Sequence, residues 1–226
     1  MVVLRKELKY DISNRQSQFI QNILEKVITK DKNSNKSGKY HIKTIYFDNY
    51  LNSIENAKKD DINAVSKYRI RMYEKNIDAI FLEIKTNENG YINKEKEKIT
   101  KEDVINILNG NYKKILDEQS QLKTKFYIEI ILRQLRPVLL VEYDRIAYID
   151  NFSKTRITID KNIMSIKKCE NFFSKESREN NNKQILEIKY EKYVPDYIKN
   201  IIVNVQGKRI RKSKFITEIE KYKSRG

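Results

Sequence analysis

Six segments of this chain alternate apolar side chains with ionic ones at a period of two, and no other feature restricts the possible folds so strongly. An ordinary half-buried strand keeps apolar residues on its core face and lets polar ones meet water on the other. In VSKYRIRMY, Lys67, Arg69 and Arg71 share one face while Tyr68, Ile70 and Met72 share the other. FLEIK sets Phe81, Glu83 and Lys85 against Leu82 and Ile84. The alternation recurs with Arg5, Glu7 and Lys9 against Leu4 and Leu8, with Tyr143 and Arg145, and with Arg156 and Thr158 against Ile157 and Ile159. It appears once more with Glu187 and Lys189 against Leu186 and Ile188. One such strand describes no more than a solvated face. Six of them, accompanied by amphipathic helices that need an apolar surface to cover, predict apolar faces turned outward to helices and ionic faces turned inward.

Closing such strands into an antiparallel barrel removes the sheet edges and gives every strand one interior face. Strand-like runs rich in β-branched and aromatic residues fall near 2–10, 40–47, 65–73, 79–85, 91–99, 137–148, 155–160 and 184–190. Helical periodicity follows Ser13, with Phe19, Ile20, Ile23, Leu24 and Val27 in one stripe. A second helix opens at Thr100, with Glu102 and Asp103 in its first turn. Further helices are predicted over 123–135, 195–203 and from Ser213 onward, and the polar stretches 30–38 and 174–183 read as loops. A chain of 226 residues suits one α+β domain over 1–226, an eight-stranded antiparallel barrel with a charged lumen and flanking helices.

Such a lumen is costly to desolvate, and repulsion between its cations adds to the cost unless water and a multivalent anion occupy it. Arginine gives bidentate contacts to phosphate oxygens and lysine adds compact point charges, so the mixture suits a chain of phosphates. Lys94 and Lys96 alternate with acidic residues along the strand that leads out of FLEIK and are assigned to the lumen with the rest. The overall balance agrees, because 47 Lys and Arg against 31 Asp and Glu give +16, which steers polyanions toward the protein. Glu7, Glu83 and Glu187 then serve to hold neighbouring cations, or to bind a divalent metal that bridges phosphate oxygens.

Other chemistries find little support. Cys169 is the only cysteine, so neither an intrachain disulfide nor a cysteine zinc site is available. His41, the only histidine, reads as an exposed residue at a strand start. There is no G-x-x-x-x-G-K-[ST] loop and no G-x-G-x-x-G, so side chains rather than backbone amides must hold the phosphates. A nucleic-acid partner would call for aromatics on the basic face, whereas Tyr68 lies opposite the arginines and Tyr73 at the strand end. The N-terminal MVVLRKELKY carries no apolar leader and no apolar run is long enough to span a bilayer, which predicts a soluble cytoplasmic protein.

The same residues resemble the vacuolar transporter chaperone (VTC) domain, a branch of the triphosphate tunnel metalloenzymes. The resemblance rests on nine motifs in order: RKELKY, TIYFDN, YRIRMY, FLEIK, INKEK, EYDR, TRITID, LEIKY and RKSKF. It implies an eight-stranded tunnel that transfers the terminal phosphoryl of ATP to a growing polyphosphate, with manganese, or else magnesium, as the divalent metal. Carried over by motif position, Lys9, Arg69, Arg71, Lys85, Lys94, Arg145, Arg156 and Lys214 bind phosphates. Tyr143 and Ser213 supply hydrogen bonds, Arg211 supplies charge, and Glu187 is the metal ligand. Lys96 and Lys189 join the phosphate-binding set from the strand pattern, and Arg69, Arg71, Lys85, Arg145 and Arg156 form the expected catalytic core.

Two departures narrow the reading. Arg5 stands where the E-x-E-x-K tunnel signature has its first Glu, which argues against the triphosphatase and cyclase branches with their several carboxylates. The membrane helices of the eukaryotic complexes are not in this sequence, and a separate membrane protein is a possible partner beside ATP and inorganic polyphosphate. The alternatives are a triphosphate or nucleotide hydrolase of the same fold, and a non-catalytic polyphosphate-binding subunit. Removing Arg69 and Arg71 together is expected to weaken polyphosphate binding and to leave the fold intact by relieving cation repulsion.

Overall fold

The computed structural model describes residues 6–31, 38–56, 64–74, 76–88, 91–117, 119–174, 183–210 and 212–223. The loops expected at 30–38 and 174–183 fall mostly outside the described residues, as do Arg5 and Arg211. In chain order the elements are β1 (Lys6–Ile12), α1 (Asn14–Val27), β2 (Thr29–Lys30), β3 (Lys39–Asp48), α2 (Ser53–Asn56), β4 (Ala64–Tyr73), β5 (Ile80–Glu88) and β6 (Tyr91–Lys98). They continue with α3 (Lys101–Leu108), α4 (Gln121–Arg133), β7 (Arg136–Ile149), β8 (Arg156–Ile166), β9 (Gln184–Tyr190), α5 (Asp196–Val205), β10 (Lys208–Arg209) and α6 (Lys214–Lys223). All eight long strands expected from the sequence are present.

The architecture is α+β with a large sheet ordered β10-β1-β9-β8-β7-β3-β4-β5-β6, and β2 pairs with β7. Every pairing with a defined register is antiparallel. Among the described residues the ladder ends at β10 and β6 and is not closed by hydrogen bonds. The chain forms two compact units. Unit 1 comprises 1–41, 142–164 and 177–212, and unit 2 comprises 42–141, 165–176 and 213–226.

In unit 1 the apolar face of the strands is the core, as the inverted pattern predicts. Ile157 and Ile159 of β8 and Leu186 and Ile188 of β9 pack with Ile20 and Leu24 of α1 and with Ile198 and Ile201 of α5. Ser13 starts α1 through a capping box, its hydroxyl accepting from the Gln16 amide while the Gln16 side chain accepts from the Ser13 amide. The buried stripe of α1 is Ser17, Ile20 and Leu24, rotated from the one expected, and Phe19 and Val27 are exposed.

In unit 2, Tyr68, Ile70 and Met72 of β4 lie opposite Ile84, Leu82 and Ile80 of β5, all buried to 3% exposure or less. Phe126 of α4 covers this face, with its ring 5.1 Å edge-on from Phe47 and 6.2 Å from Tyr68, whose hydroxyl donates to Glu129 at 2.6 Å. Thr100 and Asp103 cap α3 reciprocally, and Ser120 caps α4. Along β6 the odd positions turn to α4. Lys125 bridges Glu95 at 2.5 Å and Ser120 donates to Glu97 at 2.6 Å, leaving Lys94 and Lys96 on the opposite face. No helix among the described residues is long and apolar enough to cross a membrane.

Candidate phosphate-binding site

The ionic face of unit 2 is organised around one carboxylate. Register sets Tyr46 opposite Arg69, Arg69 opposite Glu83 and Glu83 opposite Lys96, so four strands bring these side chains into one row. Glu83 has no solvent exposure and accepts from Arg69 Nε and Nη2, both at 2.6 Å, and from Lys94 Nζ at 2.9 Å. The Arg71 guanidinium lies 3.6 Å from the same carboxylate and its Nε donates to Thr44 at 3.3 Å. Burial pushes the Glu83 carboxyl up, but the charges of Arg71, Arg69 and Lys94 outweigh it and hold the group well below the ordinary carboxylate range. Burial lowers the Lys94 ammonium, opposed by Glu83. The adjacent row sets Lys67 opposite Lys85 and Lys85 opposite Lys94. Like charges directly opposite in a sheet are unfavourable, and a multivalent anion relieves that repulsion.

Ser213 and Lys214 start α6 in the same unit. The Ser213 hydroxyl accepts from the Ile216 amide at 3.5 Å and its carbonyl from the Thr217 amide at 2.9 Å, and Lys214 is buried at 8% exposure. Phe215 stacks on Tyr46 at 5.2 Å, which brings the first turn of α6 beside the Arg69 row. Tyr73, which the sequence leaves off the arginine face, is hydrogen-bonded to Arg71. Burial opposes its ionisation, yet the Arg71 charge and hydrogen bond leave the phenol below its ordinary value. The parity of Lys67, Arg69, Arg71 and Tyr73 was the available signal.

Unit 1 carries a second ionic face. Lys9 lies opposite Glu187, which lies opposite Thr158, and Glu7 lies opposite Lys189, which lies opposite Arg156. Lys9 bridges Glu7 at 2.5 Å and Lys189 bridges Glu187 at 2.6 Å. Arg145 makes a bidentate pair with Asp160 at 2.6 and 2.8 Å and lies 5.3 Å from the Tyr143 ring. Burial works against the Arg145 charge, but Asp160 dominates and its pKa is raised. Arg156 donates to Asp31 at 2.8 Å and to the Tyr40 hydroxyl at 2.6 Å. Asp160, absent from the expected set, shares the period-two face of Arg156 and Thr158 and was legible on that ground.

The residues around Glu187 fit a hard divalent cation. Such ions take oxygen ligands and are commonly held by one or two carboxylates together with substrate phosphates. Glu187 is 5% exposed, Glu7 is carried on the neighbouring strand, and the buried Thr158 hydroxyl opposite Glu187 makes no hydrogen bond. Among the described residues no three acidic, imidazole or thiol groups gather where they could hold a metal ion.

His41 is buried at 8% exposure rather than exposed, because it is clamped between two acids. Its Nε2 lies 2.6 Å from Glu142 and its Nδ1 lies 2.9 Å from Asp144, which also accepts from Asn162. Only the imidazolium donates from both nitrogens. Glu142 and Asp144 share strand parity with Ile146 and Tyr148 of the apolar core, so this cluster lies on the face opposite Arg145. His41→Ala should therefore cost about 2–3 kcal/mol of stability by removing the donor from the buried Glu142 carboxylate, measured by chemical denaturation. Cys169 is likewise structural, its thiol pushed up to about 12 by burial.

The strand order and the ionic strand faces agree with a triphosphate tunnel fold. The chain belongs to the VTC domain family, whose model matches residues 4–223. In overall structure it is similar to a Bacillus halodurans protein provisionally described as an adenylate cyclase, with a TM-score of 0.59 at 12% identity over 96% of each chain. It is also similar to the PH1819 protein from Pyrococcus horikoshii OT3, with a TM-score of 0.52 at 17% identity over 96% of this chain and 99% of the other. At these identities the likeness is one of fold. No curated protein sequence matches the chain.

Proposed function

We propose that this chain is a polyphosphate polymerase, transferring the terminal phosphoryl of ATP to the end of a growing inorganic polyphosphate within the closed, cationic tunnel expected of its family. The observation that carries the reading is the convergence of Arg69, Arg71 and Lys94 on Glu83, where three cations against one carboxylate leave a formal excess of two positive charges. An oxygen of the acceptor's terminal phosphate attacks the γ-phosphorus. A P–O bond forms there as the bond to the β–γ bridging oxygen breaks, and ADP leaves carrying the negative charge.

Such transfer asks little covalent chemistry of protein groups, and positioning with charge stabilisation carries most of the barrier reduction. Arg69 and Arg71 offer forked donors to the non-bridging oxygens, with Lys85 and Lys94 as point charges in the adjacent row. In unit 1, Arg145 and Arg156 are held by Asp160 and Asp31 and are suited to phosphate contacts of their own. Glu187 is the residue to hold a divalent ion, manganese or magnesium, which when bound neutralises charge on the transferring phosphoryl.

The test is incubation of the pure protein with ATP and manganese, followed by sizing of the products on a gel. A ladder of polyphosphates with ADP is expected. Free phosphate without a ladder identifies a hydrolase, and unchanged ATP with retained polyphosphate binding identifies a binding subunit. Affinity for polyphosphate should also fall on the order of 10³-fold between roughly 50 and 200 mM salt, as for ligands that engage six or more phosphates, measured by titration calorimetry.

A further inference from the structure

The ionic face of unit 2 changes character along its strands. Lys67, Lys85 and Lys94 form a purely basic row, and Arg69, Glu83 and Lys96 form the next. Beyond them Thr44, Arg71, Phe81 and Lys98 stand across β3 to β6, with Tyr73 past Arg71 on the same face. Tyr73 and Phe81 meet edge to face, with ring centroids 6.0 Å apart at 73°. The Lys96 ammonium rests 3.6 Å from the Phe81 centroid and 5.4 Å from that of Tyr73. Successive rows are about 6.6 Å apart, two residues of strand rise.

Phosphate oxygens gain nothing from ring faces, so the ring faces of an aromatic pair bordering an arginine row suit a ligand that joins a flat group to its phosphates. A nucleoside triphosphate has both needs in one molecule, a flat base at one end and closely spaced charge at the other. We propose that Tyr73 and Phe81 form the subsite for the base of a purine nucleoside triphosphate whose phosphates lie over Arg71 and Arg69, an inference that rests on the phosphate-binding role of that face. The base takes the face of Phe81 that Lys96 now covers. The displaced ammonium then donates to phosphate, exchanging a weak cation–π contact at an exposed site for base stacking. The subsite makes ATP a better ligand than its phosphate moiety, tripolyphosphate, and gives the donor a fixed direction along the strands.

The full chain is titrated with ATP and, separately, with tripolyphosphate in metal-free buffer, so that no turnover occurs. Phe81→Leu should raise the Kd for ATP about tenfold, the loss of one base–aromatic stack, and that for tripolyphosphate less than about twofold. Phe81→Trp introduces the only tryptophan in the chain. It should keep the wild-type preference for ATP, with emission quenched by ATP and not by tripolyphosphate. Equal loss of both ligands in the leucine variant, no loss of either, or a tryptophan signal that ignores ATP overturns the subsite while leaving the phosphate-binding role standing. Failure of the wild-type protein to bind either ligand overturns that role as well, and the subsite with it.

Discussion

Glu83→Gln should produce a protein that is less stable without ligand and yet binds polyphosphate more tightly. The substitution keeps the shape of the side chain and removes the charge that Arg69, Arg71 and Lys94 surround. Stranding one side of a buried ion cluster costs about 3–5 kcal/mol when all partners are dry. Arg69 and Lys94 retain 18% and 40% of their side-chain exposure, so water screens part of that loss and about 2–3 kcal/mol is expected. For a chain of this size that corresponds to a fall in Tm of roughly 5–10 °C.

The sign with pH follows from the depressed carboxyl of Glu83. Its contribution is present above the unfolded carboxylate value and is lost as pH falls toward the lower native value, so wild type and variant should converge in stability on acidification. Tripolyphosphate supplies the missing negative charge and should restore the melting temperature of the variant. Thermal melts across pH, with and without tripolyphosphate, check all three outcomes. A variant as stable as wild type at neutral pH, or one that loses tripolyphosphate affinity, would refute the role of Glu83 as the counter-ion of this cluster.

The same contacts change what is expected of the arginines. Arg69→Ala with Arg71→Ala was expected from the sequence to spare the fold by relieving repulsion. In the structure those arginines neutralise Glu83, which has no exposure, so the double variant leaves that carboxylate with Lys94 and should lose stability along with affinity. Period-two alternation was enough to find the strands, the helix-covered apolar faces and the basic rows, because the parity of a strand fixes which side chains share a face. It did not reveal which charges neutralise one another. The Arg145–Asp160 pair joins residues fifteen apart, and the His41–Glu142–Asp144 cluster joins residues over a hundred apart, through pairings that a local pattern does not contain. The error in α1 has a different origin. A stripe at helical spacing leaves its rotation open by a residue, and packing against β9 and α5 selects Ser17, Ile20 and Leu24 over Phe19 and Val27.

Glu187→Gln should abolish most turnover and little stability. Glu187 is buried, its carboxylate bridges Lys189 at 2.6 Å, and it stands opposite Lys9 and Thr158. Lys189 keeps 36% of its side-chain exposure, so its ammonium remains hydrated when Glu187 is neutralised and loss of that ion pair costs folding little. If the carboxylate fixes a divalent ion on the transferring phosphoryl, its charge matters most where charge redistributes in the transition state. A loss of turnover on the order of 100-fold is then expected, about 3 kcal/mol of barrier. Affinity for tripolyphosphate in metal-free buffer should hold or rise, since neutralising Glu187 leaves the Lys189 ammonium without its bridging carboxylate. A purely structural Glu187 predicts the reverse, a lowered Tm with the manganese-dependent rate per folded molecule preserved. Melting temperature, tripolyphosphate Kd and manganese-dependent ATP consumption on one preparation separate the two, and a stable variant with normal turnover would sink the metal-binding role.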